Sequence, residues 1–452
     1  MNSLLVAGLC WIAMGAGAYA QTSDAPVIRV DVRQVLVPVI VTDSKGHHAT
    51  GLKASDFHIL EDGVPQEIAA FSTDTSALAN AETGLIAGAS KHPPVEAGAS
   101  GHTFVICVDA LHTAAASSSR VRDALTRLFE KEKSEGAQYV LMSIGPQLRV
   151  LQTATRDPGA VLSSLRKPAV VPAMGGVTAA ARGSEINELK KRMYDFCRRC
   201  PACGSSANYR ACDTEIQDLK LGVDAQAERW GMQGSQLLSQ LKSVVEELAK
   251  LPTGRTLILV SDGFSLQPAR EFYATVAAFL PTDPRFKMAG PTDLQSQLQG
   301  VIRVAGERNV RVYAVDSRGL AEGSFAGSGS MDASAPSDSS PPSVIRHTPA
   351  GIRGGKLLTD MDHEARSAAF QNGSGMEQLA RGTGGIYFHD SNDMLEQFRS
   401  VLADGRESYL LAYVSKNRAQ DGKFRSITVE VSDKKLQVRA KAGYWAAGET
   451  VP

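Results

Sequence analysis

The stretch Thr103–Thr113 (TFVICVDALHT) constrains the fold of this chain more than any other. It opens with an unbroken run of apolar and β-branched residues, and the run stops at Asp109. A continuous run of this kind is typical of a strand that is buried on both faces of a parallel sheet. Apolar residues at helical spacing follow in Ser118–Lys133, so a strand, an acid-bearing loop and a helix succeed one another. Ligands of open α/β sheets bind outside the carboxyl ends of strands, which is where Asp109 is expected.

The same pattern of strand, acid and helix recurs further along the chain. Arg255–Ser261 (RTLILVS) is a second buried run that ends before Asp262, and Val310–Val315 (VRVYAV) is a third that ends before Asp316. Strands that alternate with helices form parallel sheets with right-handed crossovers. We therefore predict an α/β domain over 102–404, with a Rossmann-like, mostly parallel sheet flanked by helices.

The two ends of the chain are predicted to be β structure. Residues 27–72 and 405–446 consist of short apolar runs separated by turn-forming clusters such as Asp43–Gly46 and Asp62–Pro65. Neither segment has enough strands to bury both faces of a sheet on its own. We therefore predict that they join into one β-sandwich, with the Ala/Gly/Ser/Pro-rich residues 73–101 as a linker.

Composition and the amino terminus bear on where the protein acts. The chain has 48 Lys and Arg against 48 Asp and Glu, so its overall charge favours neither nucleic acid nor membrane. Residues 1–20 are uncharged and apolar and end in Ala-Tyr-Ala, which predicts a secretory signal peptide and export to the periplasm, the outer surface or the medium. No later stretch is apolar enough to span a membrane. Residues 322–355, rich in Ser, Gly and Pro, are predicted to be a flexible loop.

A cysteine cluster lies in a predicted helical insert over residues 180–250. Cys197, Cys200, Cys203 and Cys212 have spacings that suit two disulfides, a tetrahedral zinc site or a redox C-x-x-C motif. The exported setting favours disulfides, which would staple a helical hairpin that lacks a core of its own. Four cysteines allow three connectivities, and the sequence does not choose among them.

These motifs together resemble a known family. The chain has V-D after its first buried strand and L-V-S-D-G after a later one. Its flanks read VLVPVIVTDSKGHHATGLKASDFHILEDGVPQEI and DGKFRSITVEVSD, the latter followed by VRAKAGYW. The pattern resembles the von Willebrand factor type A domain and, in its flanks, the VWFA-related domain proteins of acidobacterial genomes. The resemblance extends in parts from Val27 to Trp445.

The resemblance implies a metal-ion-dependent adhesion site, in which D-x-S-x-S, a loop threonine and a later aspartate hold Mg²⁺ or Mn²⁺ through oxygen ligands. Asp109 matches the first acid, Thr113 replaces the second serine, Thr178 in a predicted GGVT loop is the candidate threonine, and Asp262 matches the later acid. Leu111 stands where the first serine is expected, so the site is degenerate. The alternative is that these acids cap turns without binding a metal.

The resemblance also implies a function. We expect an exported, non-enzymatic binding or adhesion protein that recognises a protein or cell-envelope ligand and does not bind nucleic acid. A metal-assisted hydrolase that uses the same acids is the first alternative, and it lacks an evident general base. The second alternative is a structural envelope protein that contacts its partners through the helical insert.

Overall fold

The structure is a computed structural model. It describes residues 34–73, 101–132, 136–175, 177–200, 203, 212–251, 254–268, 270–286, 293–320 and 373–446, apart from the side chains of 177–184. The predicted signal peptide, the predicted flexible loop and almost all of the predicted linker lie outside the described residues.

The fold is a mixed α/β arrangement centred on a six-stranded, mostly parallel sheet with the strand order β10-β9-β8-β5-β6-β7. Only β7 is antiparallel to its neighbour. The central strands β5 and β8 are almost entirely buried, as their unbroken apolar sequences predict. The strands of this sheet are β5 (His102–Asp109), β6 (Gln138–Ile144), β7 (Leu148–Thr155), β8 (Gly254–Ser261), β9 (Arg311–Asp316) and β10 (Tyr387–Phe388).

Helices cover both faces of this sheet, because each face carries its own apolar cluster. The helices are α1 (Ala115–Phe129), α2 (Pro158–Leu165), α3 (Val170–Met174), α4 (Val177–Arg199), α5 (Asp213–Leu248), α6 (Arg270–Phe279), α7 (Gln295–Glu307), α8 (373–382) and α9 (Met394–Arg406). On one face, α1, α2, α3 and α9 pack against the sheet, and on the other α5, α7 and α8 do so. Among the helices of the described residues, none has the length and apolarity needed to cross a membrane.

Two four-stranded antiparallel sheets contain strands from both ends of the chain. Their strands are β1 (Gln34–Thr42), β2 (Phe57–Glu61), β3 (Val64–Gln66), β4 (Ile68–Ser72), β11 (Tyr409–Val414), β12 (Phe424–Val431), β13 (Gln437–Ala440) and β14 (Gly443–Trp445). The strand orders are β13-β1-β11-β4 and β14-β12-β2-β3. Each sheet is therefore completed only when amino-terminal and carboxyl-terminal strands pair.

The two antiparallel sheets pack face to face around one hydrophobic core. Alternate residues of β1, among them Val37 and Val39, are fully buried against Phe57 and Ile59 of the other sheet. Tyr409 of β11 contacts Phe57 with 5.2 Å between the ring centroids. The apolar alternation in both terminal segments thus has its physical counterpart in one shared core.

A buried carboxylate joins the antiparallel sheets to the α/β layers. Asp404 of α9 is fully buried and accepts hydrogen bonds from both terminal nitrogens of Arg439, at 2.7 and 2.8 Å. His48 Nε2 lies 2.7 Å from Asp404 Oδ1, and the Tyr313 hydroxyl donates to Oδ2 at 2.6 Å. We call these four side chains the junction cluster. Burial alone would raise the pKa of Asp404, but the hydrogen bonds from His48 and Arg439, together with the charge of Arg439, hold it well below its ordinary value.

Further contacts fix the same junction on the side of α7. Lys441 Nζ donates to the carbonyl of Gly306 at 3.2 Å and to Asn309 Oδ1 at 3.0 Å. The guanidinium of Arg303 lies 4.9 Å from the ring centroid of Trp445, within the range of a cation–π contact. The antiparallel sheets are therefore held to the α/β layers by charged as well as apolar contacts.

The cysteine insert is a helical hairpin of α4 and α5. Its four cysteines pair as Cys197–Cys203 and Cys200–Cys212, which supplies the connectivity that the sequence left open. The hairpin has a satellite hydrophobic cluster that includes Met193, Ile216 and Trp230 and packs against α6. The two disulfides lie where the end of α4 meets the start of α5, and Cys197, Cys200 and Cys212 are themselves buried in this cluster.

Candidate functional site

The candidate site lies at the carboxyl edge of the six-stranded sheet, where β5, β8 and β9 end side by side. Because these strands are parallel, Asp109, Asp262 and Asp316 follow their carboxyl ends at the same edge. We use "the rim" for the three segments 109–120, 261–263 and 316–318. Of the predicted site residues, the structure places Asp109, Thr113 and Asp262 in the rim.

Asp109 organises the loop between β5 and α1. Its Oδ1 accepts hydrogen bonds from the backbone N–H groups of Leu111 and His112, at 3.1 and 3.2 Å. Its Oδ2 lies 2.8 Å from His112 Nδ1 and accepts a hydrogen bond from the Ser261 hydroxyl at 2.8 Å. The carboxylate is fully buried, and both of its oxygens are engaged. Asp109 therefore holds its own turn and links it to the end of β8.

Asp262 links the same loop to the end of β9. Its Oδ2 accepts from the N–H of Ala114 at 2.8 Å and from the Ser117 hydroxyl at 3.0 Å, and its Oδ1 accepts from the Ser317 hydroxyl at 2.7 Å. Burial raises the pKa of Asp262, these three neutral donors lower it in part, and the charge of Asp316 raises it further. The net pKa shift is upward, because burial outweighs the neutral donors and, among the described residues, no cation forms a direct ion pair with this carboxylate.

Two arginines complete the rim. Arg318 pairs with Asp316, with 2.6 Å between Nη2 and Oδ2. Arg120, one turn into α1, donates from Nη2 to the Ser117 hydroxyl at 3.1 Å and to the carbonyls of Ser317 and Arg318, each at 2.9 Å. These contacts bind the first turn of α1 to the loop after β9.

Thr113 differs from the other polar residues of the rim. It is fully buried, and its hydroxyl has no hydrogen-bond partner among the described residues. Its backbone is crowded: a Cβ added at Gly175, which has φ +154°, would come within 2.4 Å of the Thr113 carbonyl oxygen. A buried hydroxyl without a partner is costly, so Thr113 is the least satisfied of the predicted site side chains that the structure describes.

Thr178 does not lie in a loop, contrary to the sequence-based expectation. Helix α4 begins at Val177, so Thr178 belongs to its first turn, and its side chain is outside the described residues. The helical conformation is interrupted earlier, at Gly175, whose positive φ separates α3 from α4. The GGVT motif therefore marks the start of a helix, which glycine permits by ending the preceding one.

The oxygen atoms of the described side chains do not form a ligand set that fits a divalent cation. Leu111 offers no ligand atom and is buried in the core of the α/β layers. The oxygens of Asp109 already accept four hydrogen bonds, and within the described part of the chain no group of three His, Cys, Asp or Glu residues could hold a metal ion. Mg²⁺ requires near-octahedral oxygen ligands, and among the expected ligands whose side chains the structure describes, Thr113 alone has an unengaged side-chain oxygen.

The chemistry open to the rim follows from the direction of its hydrogen bonds. Asp109 and His112 form a pair that resembles half of a proton-transfer relay. The hydroxyls of Ser261, Ser117 and Ser317, however, donate to carboxylates and not to His112. The arrangement orders the loops and, in the described residues, places none of these serine hydroxyls in a hydrogen bond with the imidazole of His112.

Sequence reasoning missed the serines that connect the acids. Ser261 precedes Asp262 and Ser317 follows Asp316, so each serine adjoins an acid at the end of a predicted strand. The sequence shows only that a serine adjoins each acid, and in the structure Ser261 and Ser317 bond to Asp109 and Asp262, acids that are not their neighbours at the same strand end. His112 and Arg120 carried no comparable signal in the sequence.

Neither the protein-family models nor the curated proteins include a match to this chain. Among solved structures, an aerotolerance-related membrane protein from Bacteroides fragilis NCTC 9343 is 12% identical, with a TM-score of 0.27, over 68% of this chain and 98% of that one. The conserved hypothetical protein BatB from Bacteroides thetaiotaomicron is 10% identical, with a TM-score of 0.25, over 68% and 100%. The pilus adhesin SpaC from Lactobacillus rhamnosus GG is 8% identical, with a TM-score of 0.29, over 76% and 43%. TM-scores this low carry no argument about this chain.

Proposed function

We propose that this chain is an exported, non-enzymatic binding protein that recognises a protein or cell-envelope ligand at the rim. The observation that carries the proposal is the network in which Asp109 and Asp262 tie the ends of three strands to the start of α1. Loops held by a rigid scaffold are the usual place for recognition. Ala115 and Ala116 of the rim are small and exposed, so a partner can approach the backbone closely at these positions.

Export is supported by the cysteines. Disulfides persist in oxidising compartments and are rare in reducing ones, and the insert carries two of them. The apolar residues 1–20 support the same proposal as a signal peptide.

A steric block of the rim tests the proposal. Ala116→Trp places a large side chain on the rim and leaves the hydrogen-bonded acids unchanged. The immobilised variant is therefore expected to lose its capture of ligands from an envelope fraction. The matched control changes the hairpin instead: Leu221→Glu with Met232→Glu alters two exposed apolar residues of α5 (59% and 58% exposed) and is expected to leave capture intact. Captured material is compared by mass spectrometry.

If Ala116→Trp captures ligands and the hairpin variant does not, the hairpin and not the rim is the binding surface, which would support the structural alternative. Full capture by Ala116→Trp would end the proposal as stated. The hydrolase alternative has one observation in its favour, the pair of Asp109 and His112. It is tested by the same immobilised protein: release of cleaved material that stops in His112→Ala would establish an enzyme.

A further inference from the structure

We propose that the cleft between the open edges of β10 and β13 binds an extended, uncharged segment of a partner polypeptide, which pairs with these edges as an added strand. Strand β10 is the last strand of the six-stranded sheet, and β13 is the last strand of one antiparallel sheet. None of the residues that line the cleft belongs to the rim. The cleft is therefore a second binding surface, and it does not depend on the proposed function of the rim.

The cleft lies between the α/β layers and the antiparallel sheets. Its volume of about 380 Å³ is within the range of natural ligand sites. One wall is the chain from Gly384 to Tyr387, which leads into β10, and the other is formed by 438–440 of β13. The walls meet at Gly384, where an added Cβ would lie 2.8 Å from the backbone nitrogen of Lys441. Two strand edges thus border one cavity.

The edge of β10 has unpaired backbone groups beside this cleft. The carbonyl of Ile386 accepts from the N–H of Ala314 in β9 at 3.0 Å, and Tyr387 is the residue of β10 opposite Ala314. Backbone groups of successive residues in a strand point to opposite sides, so the N–H and C=O of Tyr387 point away from β9. In the described part of the chain, no strand pairs with β10 on that side.

The edge of β13 is open in the same way. On β1, the carbonyl of Val41 accepts from the N–H of Ala49 at 2.9 Å. Ala49 follows His48, which pairs with Thr42 on the side of β1 opposite β13. Val41 therefore points away from β13, and Val438 is its partner in the antiparallel register. Opposite residues of such a ladder either both face each other or both face away, so the backbone groups of Val438 point away from β1.

Charge does not select the ligand, because the charged side chains that line the cleft already have partners. The pairs are Arg381 with Glu377 at 3.0 Å, Arg439 with Asp404 at 2.7 Å and His389 with Asp390 at 2.7 Å. Both walls offer backbone N–H and C=O groups instead. A polypeptide in an extended conformation supplies the matching acceptors and donors, which favours an uncharged peptide over a polyanion or a metal ion.

The side chains of the cleft favour a β-forming peptide. The rings of Tyr387 and His389 stack with 4.8 Å between their centroids and give the cleft an apolar surface. β-branched side chains suit both such a surface and the extended conformation. When a strand is added to a sheet edge, main-chain hydrogen bonds supply the affinity and alternate side chains supply the specificity.

The test measures binding of a fluorescein-labelled hexapeptide of alternating threonine and valine, blocked at both ends, to the full chain by fluorescence anisotropy. Saturable binding to the wild type is expected. Tyr387→Pro removes an N–H group that the pairing with β9 does not use, so the sheet is retained while strand addition loses a donor. The affinity is expected to fall about threefold to tenfold, the effect of one hydrogen bond.

The matched control is Tyr387→Thr. It also loses the ring and the hydroxyl contact with Asp316, but it keeps the backbone N–H. It is therefore expected to bind the hexapeptide more tightly than Tyr387→Pro does. Val438→Pro, compared with Val438→Thr, makes the same test on the other wall.

A second measurement requires no protein variant. Methylation of the backbone nitrogens of the valines removes the donors along one edge of the peptide, and methylation at the threonines removes those along the other edge. Each methylated peptide is expected to bind about threefold more weakly or worse than the parent, because both edges of the added strand take part.

Three outcomes would overturn the inference: no binding of the hexapeptide, equal affinities of Tyr387→Pro and Tyr387→Thr, or full binding of either methylated peptide. Sedimentation adds a fourth, because wild-type dimers that Tyr387→Pro dissociates would make a second copy of this chain the occupant. None of these results bears on the rim, whose proposed function fails only if Ala116→Trp still captures envelope ligands in full.

Discussion

Asp404 of the junction cluster and Asp262 of the rim are both aspartates withdrawn from water, and their pKa values move in opposite directions. Asp404 has Arg439 and His48 against its oxygens, and its pKa is lowered despite burial. Asp262 has one backbone N–H and two hydroxyls, and burial raises its pKa. Both carboxylates are well supplied with hydrogen bonds, so the number of donors does not explain the difference.

The difference teaches that the charge of the donors decides whether a buried carboxylate is stabilised in its ionised form. Neutral donors recover part of the lost hydration, whereas a cation adds Coulomb attraction that is strong where water is excluded. The junction cluster therefore acts as a structural tie between layers. The rim keeps an incompletely compensated negative charge on Asp262, because its described hydrogen-bond donors are all neutral.

The largest expected effect is at the junction. Asp404→Asn removes the negative charge and leaves Arg439 without its counter-ion beside the buried Tyr313 hydroxyl. Breaking one side of a buried ion pair costs about 3–5 kcal/mol, so the free energy of unfolding in urea is expected to fall by that amount. Asp123→Asn, which breaks the exposed pair with Arg122, is the control and is expected to change stability by about 0.5 kcal/mol or less.

A smaller loss is expected at the rim. Asp262→Asn keeps one acceptor oxygen but turns an amide NH₂ group toward donors, which sacrifices about one or two hydrogen bonds. Because the ionised form of Asp262 is itself disfavoured, the cost is expected to be about 1–2 kcal/mol in the same urea experiment. A loss equal to that of Asp404→Asn would break the comparison, since it would make the two carboxylates energetically alike.

The smallest and most specific effect is the pH dependence of these two losses. In the folded state the pKa of Asp404 is lowered. Its contribution to the free energy of unfolding is therefore full above pH 3.8, the ordinary pKa, and is lost as the pH falls through the folded-state pKa. The folded pKa of Asp262 is raised, so stability is lost as the pH rises from 3.8 through the folded value. Between about pH 6 and pH 3, the destabilisation by Asp404→Asn is therefore expected to shrink on acidification.

Over the same interval the destabilisation by Asp262→Asn is expected to grow on acidification. Urea unfolding at several pH values, with both variants measured against wild type, checks the two slopes together. Slopes of the same sign would show that the neutral and the charged donor sets act alike.

Much of the architecture could be predicted from the local pattern of apolar and polar residues. The unbroken apolar runs of β5 and β8 predicted buried strands of a parallel sheet. The structure makes these two strands neighbours, so the acids at their ends share one edge. The terminal segments alternated apolar and polar residues and were too short to bury both faces alone. Their pairing, with Gln34 opposite Val414, gives that pattern a shared core.

Contacts between residues that are far apart in the sequence could not be predicted from local pattern. Asp404 lies inside an amphipathic helix with no motif around it, and its partners come from β9, β13 and the loop after β1. The pairing of the four cysteines depended on how α4 meets α5. Thr178 was misplaced because Gly175 and Gly176 resemble a loop, while helix α4 begins immediately after them. Metal binding stays a prediction from resemblance, and the described side chains do not supply the ligand set that it needs.

The interleaving of the terminal strands has a consequence for how the chain is assembled. Strand β1 cannot obtain either of its neighbours, β11 and β13, until almost the whole polypeptide is present. Closing so long a loop is costly in chain entropy unless the intervening layers have already folded and drawn the ends together. In a chain that emerges from its amino terminus, the first strands are therefore the last to be completed. Until then β1 and β4 lack their pairing partners, and unpaired strand edges are prone to aggregation.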